Sequence, residues 1–126
     1  MSSCLIKRVK TVDQHPEKEH LNIVCLDDES QLVSMKLEDG TSRYKIGDLV
    51  VHIPHGAILP ETLMRRLDVW DEEKGCGLLN GAQKNKIKRS KFSGIMSEGM
   101  LLPADETSIT FPCTGMDASS VLGVEF

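Results

Sequence analysis

Aromatic side chains are scarce in this chain: they make up 4% of its 126 residues, as one Trp, one Tyr and three Phe. Modules that grip single strands by stacking bases need exposed rings, and Tyr44, Trp70, Phe92, Phe111 and Phe126 are too few to suggest such a platform. Contacts to a nucleic-acid backbone, or to duplex shape, are therefore favoured over base reading. Trp70 is assigned by default to core packing beside Leu67. Long apolar runs are missing too, and nothing approaches the roughly 20 residues that span a bilayer, so a soluble protein is expected. Cys4, Cys25, Cys76 and Cys113 are spaced too irregularly for a zinc knuckle or a Cys-x-x-Cys redox pair, and no signal peptide is recognised. Reduced, mostly buried thiols in a cytoplasmic or nuclear protein are expected. There is no glycine-rich phosphate loop, and no serine, cysteine or carboxylate pair has catalytic spacing.

Positive charge is in deficit overall, with 15 Lys and Arg against 19 Asp and Glu, a formal net charge of -4. Affinity for phosphate backbones comes from cations that release counterions, so the distribution of charge decides more than its sum. Acids gather at Asp27-Asp28-Glu29, Glu38-Asp39 and Asp71-Glu72-Glu73, whereas Lys84, Lys86, Lys88, Arg89 and Lys91 form a short run with no acid in it. A solvated loop is the bland account of that run; a phosphate-facing surface is the functional one.

The apolar pattern is that of short strands. Cys4 to Val12 reads as a strand with one wet side, ending at His15-Pro16. Leu21 to Leu26 is apolar on both faces, as in a central strand. Gln31 to Leu37 alternates through Val33, Met35 and Leu37 after a polar connection. Glycine turns at Asp39-Gly40 and Gly47-Asp48 follow, and Leu49, Val51 and Ile53 alternate until Pro54 stops the ladder. Pro60 opens a short helix in which Leu63 and Leu67 stand at i, i+4 spacing. Asp71 to Gln83 is expected to be an exposed, mobile loop. Lys86 to Phe92 and Ile95 to Leu102 form a last strand pair or one bent strand, with a bulge at Gly94. Asp117 caps one helical turn through Val121 and Leu122, with Gly123 in the C-terminal capping position. The sum is an all-β domain, a five-stranded Greek-key barrel of the OB type with one or two short helical segments. It is expected over residues 1–112, with 113–126 as a tail or linker.

Two constellations invite chemistry. Nucleotidyltransferases attack the α-phosphate of ATP with the lysine of a Lys-x-Asp-Gly motif, but Lys36-Leu37-Glu38-Asp39-Gly40 has one residue too many. In a strand that insertion turns the acid to the other side, and Lys36 is not read as a nucleophile. His52 and His55 are three apart and face opposite ways in an extended strand, which excludes a shared metal. His15 beside Pro16 reads as part of a fixed turn. No catalytic residue and no metal ligand is assigned.

The order of these landmarks resembles the N-terminal OB domain of nick-sealing ATP-dependent RNA ligases of the Deinococcus and Naegleria type. The matching residues are His15-Pro16 with Leu21, Tyr44 to Val51, Ile53-Pro54 with Leu59-Pro60, Asn85 to Lys88, Gly94 to Met100, and Leu122-Gly123-Val124. The resemblance implies an accessory domain that orients RNA, a nicked duplex above all, for a nucleotidyltransferase domain in cis. It also implies ATP and Mg²⁺ for the full-length enzyme, none held by this fragment, which alone is not catalytic. The resemblance does not itself supply RNA-contacting residues: charge and spacing nominate Lys84, Lys86, Lys88, Arg89 and Lys91, with Arg65 and Arg66 behind them. A second likeness stays open, because His15-Pro16, Leu21 and Ser97-Glu98-Gly99-Met100 also resemble the tRNA-binding OB domain attached to some aminoacyl-tRNA synthetases. A purely structural docking domain is the third reading.

Overall fold

One long strand organises the molecule. In the computed structural model, which describes residues 3–67, 69–79, 84–88, 90–92 (backbone only), 94–104 and 112–126, β1 runs over Leu5–Gln14. Its first half pairs antiparallel with β4 (Leu49–Ile53) and its second half with β2 (Leu21–Leu26). The register shifts between Val9 and Thr11, where Lys10 is the extra residue. Such a bulge sharpens the local twist, and it lets Val9 and Val12, an odd three residues apart, reach the same core cluster.

β3 (Gln31–Met35) pairs with β2, and β9 (Met100–Pro103) pairs with β4. The sheet order β3-β2-β1-β4-β9 is a curled, five-stranded antiparallel sheet, the all-β, OB-like architecture expected from the strand pattern. β2 carries buried residues on both faces, including Leu21, Asn22, Val24 and Leu26, because it lies inside the sheet. Two core clusters result. One joins Ile6, Val51, Ile53, Leu59 and Leu102 to the helices, and the other gathers Val9, Val24, Leu26, Leu32, Tyr44 and Val50. Each fully buried aliphatic side chain in them contributes roughly 1.5–3 kcal/mol by leaving water.

α1 (Glu61–Arg66) begins after Pro60 and buries Leu63 and Met64. It lies between the fourth strand and the last. α2 (Ser119–Leu122) is the expected single turn, ended by Gly123 at φ 71, but its N-cap is Ala118, and Asp117, one residue earlier than a cap, accepts from the Ser119 amide (2.9 Å). Residues 112–126 pack onto the sheet, with Ala118, Leu122 and Val124 in the core and Ala118 N–H donating to the Cys4 carbonyl (2.8 Å).

Three details differ from expectation. The loop expected after Asp71 starts instead as a small hairpin, β5 (Trp70–Asp71) with β6 (Cys76–Gly77), whose two-residue strands are too short to alternate visibly; residues 80–83 lie outside the described residues. Gly94, expected as a bulge, stands at φ 88 in the turn between β7 (Ser90–Phe92) and β8 (Ile95–Ser97). β9 is then a separate strand. The thiols were expected to be mostly buried, yet of the four cysteines only Cys4 is buried and Cys113 is exposed. Burial pushes the Cys4 thiol up, its hydrogen bond with Ser119 opposing and the charge of Asp117 assisting.

Candidate nucleic-acid interface

The sheet is closed by side chains where a ladder would otherwise run. β3 meets the β8–β9 corner through Val33 N–H donating to Ser97 Oγ (3.0 Å), Gln31 N–H donating to a Glu98 carboxylate oxygen (3.2 Å) and Glu98 N–H donating to the Gln31 carbonyl (3.0 Å). Ser97 is itself buried. Glu98 is held from its other side, since its carbonyl accepts from His52 Nε2 (2.7 Å). A carbonyl only accepts and the Lys7 ammonium, 2.8 Å from Nδ1, only donates, so His52 is the neutral tautomer protonated at Nε2. Burial lowers its basicity first, the Glu98 carbonyl pulls the other way, and the positive charge of Lys7 adds to the lowering. Lys7 also ion-pairs with Asp28. Burial raises the Asp28 carboxyl, but hydrogen bonds from Lys7 and Ser30 outweigh it and hold the group at about 2.

Gly99 completes this clasp. Its φ is +119, and a Cβ there would lie 2.2 Å from the Ile53 carbonyl oxygen, so only glycine lets the chain pass β4 so closely. The Ser97-Glu98-Gly99-Met100 motif is therefore the device that shuts the sheet.

Below the clasp the seam is open. Residues Gln31 and Val33 turn their N–H groups toward the seam, and the two-residue repeat of a strand turns Met35 the same way; the clasp engages the first two only. A cavity of about 590 Å³ opens there. Its walls include Val33, Met35, Leu67, Ile87, Met100 and Leu102, and its polar lining includes Arg43, Arg66 and Lys88.

The basic segment reaches this region as an extended stretch. Ile87 N–H donates to the Ala57 carbonyl (2.9 Å), and Gly56 and Leu59 N–H donate to the Ile87 and Asn85 carbonyls (2.7 and 2.9 Å). Ile87 is buried, and Lys86 and Lys88 on either side of it are exposed, two residues apart and so on one side. Lys84 is exposed in a left-handed turn at φ 55, and its carbonyl passes so close to Gly77 that a Cβ there would lie 2.1 Å away.

The nominated cations thus separate. Arg66 and Lys88 come together at the cavity, whereas Lys84 and Lys86 lie outside its lining. Arg65 is committed elsewhere: it bonds Glu61 (3.1 Å), ion-pairs with Glu72 and lies over Trp70, 5.2 Å from the ring centre. Arg89 lies outside the described residues, and of Lys91 only the β7 backbone is described. Arg43 was not nominated from sequence. Its signal is indirect, since the adjacent Tyr44 is 4% exposed and anchors this turn in the core.

Elsewhere, the sequence motifs resolve into scaffolding. His15 is buried and its Nδ1 accepts from the Glu17 and Lys18 amides (3.0 and 3.1 Å), fixing the His15-Pro16 turn. Lys36 hydrogen-bonds Gln14, and Asp39 accepts from the Thr41 amide (3.0 Å) in a local turn. Trp70 packs against the first core cluster, its indole N–H without a partner among the described residues. Among the described residues no three His, Cys, Asp or Glu side chains converge to hold a metal ion, and no helix is long and apolar enough to cross a membrane.

Against known proteins, no family model matches the chain. The phenylalanine–tRNA ligase beta subunit of Clostridium tetani is 25% identical over 115 residues, covering 91% of this chain and 11% of that protein. Among solved structures, a Naegleria gruberi RNA ligase variant with AMP and Mn superposes with a TM-score of 0.72 at 18% identity, over 97% of this chain and 34% of the ligase. The same ligase with PPi gives 0.73 over 99% and 35%. This chain spans about a third of the ligase structures it matches. At that identity the likeness establishes the fold: a curled all-β sheet of the OB type, similar to one part of an RNA ligase.

Proposed function

We propose that this chain is an RNA-binding accessory domain of an ATP-dependent RNA ligase, orienting a nicked duplex for a nucleotidyltransferase domain in cis. The observation that carries this reading is superposition of nearly the whole chain on only a third of an RNA ligase. The remaining two-thirds of such an enzyme leave room for a catalytic domain. In this reading residues 1–112 are the OB module, and 113–126, which pack into its core through Ala118, Leu122 and Val124, lead from there toward that domain. ATP and Mg²⁺ would serve the absent part. The described residues do not fit either: Lys36 is tied to Gln14 in a hairpin and no donor set converges for a metal, so no adenylylation or sealing step is assigned to them. Lys86 and Lys88 are the first candidates for phosphate contacts, with Lys84 and Lys91 beside them in sequence. A reducing compartment, cytoplasm or nucleus, belongs to this reading on the irregular spacing of the four cysteines.

Exposed lysines at phosphates position a protein without reading sequence. Replacing Lys86, Lys88 and Lys91 by alanine should weaken binding to nicked duplex RNA and flatten the salt slope by about two to three units. A folded variant with unchanged affinity and slope would show that these side chains only keep an edge soluble.

A second reading, a tRNA-binding domain, is favoured by the phenylalanine–tRNA ligase match and by the Ser97 to Met100 motif. Tighter binding to tRNA than to nicked duplex at equal salt would select it.

A further inference from the structure

We propose that the opening in the seam is a receptor for one unpaired nucleotide of an RNA strand, the base entering between apolar walls and its phosphate held at the cationic lining. This rests on the RNA-binding reading above and deepens it. The cavity of about 590 Å³ has the size of small-ligand sites. Three cations, Arg43, Arg66 and Lys88, line it, and among the described residues no Asp or Glu does, in a chain with a net charge of -4. A neutral apolar occupant would not need that bias; an occupant with a flat apolar body and an anionic group matches both parts.

The wall also offers groups to a base edge. Strand periodicity turns the Met35 N–H and C=O toward the seam beyond the last clasp contact, and Ser34 lies in the lining. Among the described residues no ring lines the cavity except buried Tyr44, so the base would be held by aliphatic and thioether contacts, with Met35 and Met100 on the walls. Arg43 forms no ion pair among the described residues, and an incoming phosphate would give its guanidinium a bidentate partner. The exposed Lys84 and Lys86, outside the lining, then track the strand on which that nucleotide sits.

The test uses the 126-residue chain with methyl-labelled methionine. Titration with a duplex RNA carrying one extruded nucleotide should shift the Met35 and Met100 methyl signals and leave Met116, outside the lining, in place. That RNA should bind about tenfold more tightly than the fully paired duplex, the size of one good charged contact. Arg43→Ala should remove the preference while leaving affinity for the paired duplex unchanged, and 5′-AMP in excess should compete with the extruded nucleotide. Equal affinity for the two duplexes, with Met35 and Met100 unmoved, would overturn the receptor while leaving duplex binding through the lysines intact. Binding to neither RNA would remove both readings.

Discussion

The two closures of this sheet differ in kind. Between β1 and β4, four consecutive residue pairs from Leu5–His52 to Arg8–Leu49 are joined by backbone, as are β4 and β9 over another four. Between β3 and the β8–β9 corner, the bonds run through a serine hydroxyl, a glutamate carboxylate, a glutamine side-chain amide and one pair of backbone groups. A ladder depends on backbone that every residue except proline possesses, and it tolerates exchange of side chains of like character. A clasp depends on particular atoms, and losing one leaves a buried donor unpaired. The ladder side is scaffold. The clasp side is where the sheet stops short of closing, and the cations of the cavity sit beside it.

If that contrast holds, substitutions at the clasp should be costly in a graded order. Gly99→Ala has the largest expected effect, because it combines a left-handed φ with a Cβ placed against the Ile53 carbonyl. A loss of more than about 3 kcal/mol in urea denaturation is expected. Gly40→Ala, with φ +85 and open space around it, should cost only about 1 kcal/mol for the conformation itself. Equal losses at the two glycines would remove close approach to β4 as the reason for Gly99.

Ser97→Ala comes next. It strands the Val33 amide, and a loss of about 1–3 kcal/mol is expected. Ser34→Ala, whose hydroxyl makes only a long 3.5 Å contact at the surface, should fall within about 0.5 kcal/mol of wild type. Matching effects would mean that the hydroxyl at 97 does not close the seam.

The polar relay behind the clasp predicts an acid dependence. His52 is lowered from its ordinary 6.5 in the folded protein. Below that value the unfolded chain takes up a proton that the folded one resists, so stability should fall as pH drops through 6.5 toward the lower folded value. Asp28 acts lower: its contribution is present above 3.8 and disappears as pH falls toward about 2. Denaturation midpoints of wild type and His52→Gln, followed from neutral to mildly acidic pH, should show the first slope only in wild type. A slope retained in the variant would assign it to another group.

The smallest effect is expected away from both closures. Glu72→Ala breaks an exposed pair with Arg65, which keeps Glu61, and should shift stability by no more than about 0.5 kcal/mol. A larger loss would mean that Arg65 over Trp70 matters to the core.

This contrast also explains what was legible in the sequence. Strands paired by backbone announce themselves: Leu21 to Leu26 and Leu49 to Ile53 were recognisable because alternation and glycine turns are local signals. The Asp117 to Gly123 turn was readable for the same reason. Ser97 and Glu98 meet residues 64 and 67 positions away, and no local periodicity reports such a meeting. The basic run was visible as charge, but its division was not. Ile87 between Lys86 and Lys88 fixes the outward side there, whereas the assembly of Arg43 and Arg66 with Lys88 depends on the curl of the whole sheet. Arg65 is a weaker candidate from charge alone; Glu61 stands one helical turn before it, and its second carboxylate partner appears only once the β5–β6 hairpin brings Glu72 back onto α1.

Amide hydrogen exchange, measured on the chain alone and with duplex RNA carrying one extruded nucleotide, tests most directly whether the side-chain-closed edge is the working face. The account predicts that in the free protein the Gln31, Val33 and Glu98 amides exchange faster than those of Val24 and Val51, and that RNA slows the seam set by about tenfold or more while the ladder set barely changes. Slowing confined to the β1–β4 ladder, with the seam amides unaffected by RNA, would contradict it.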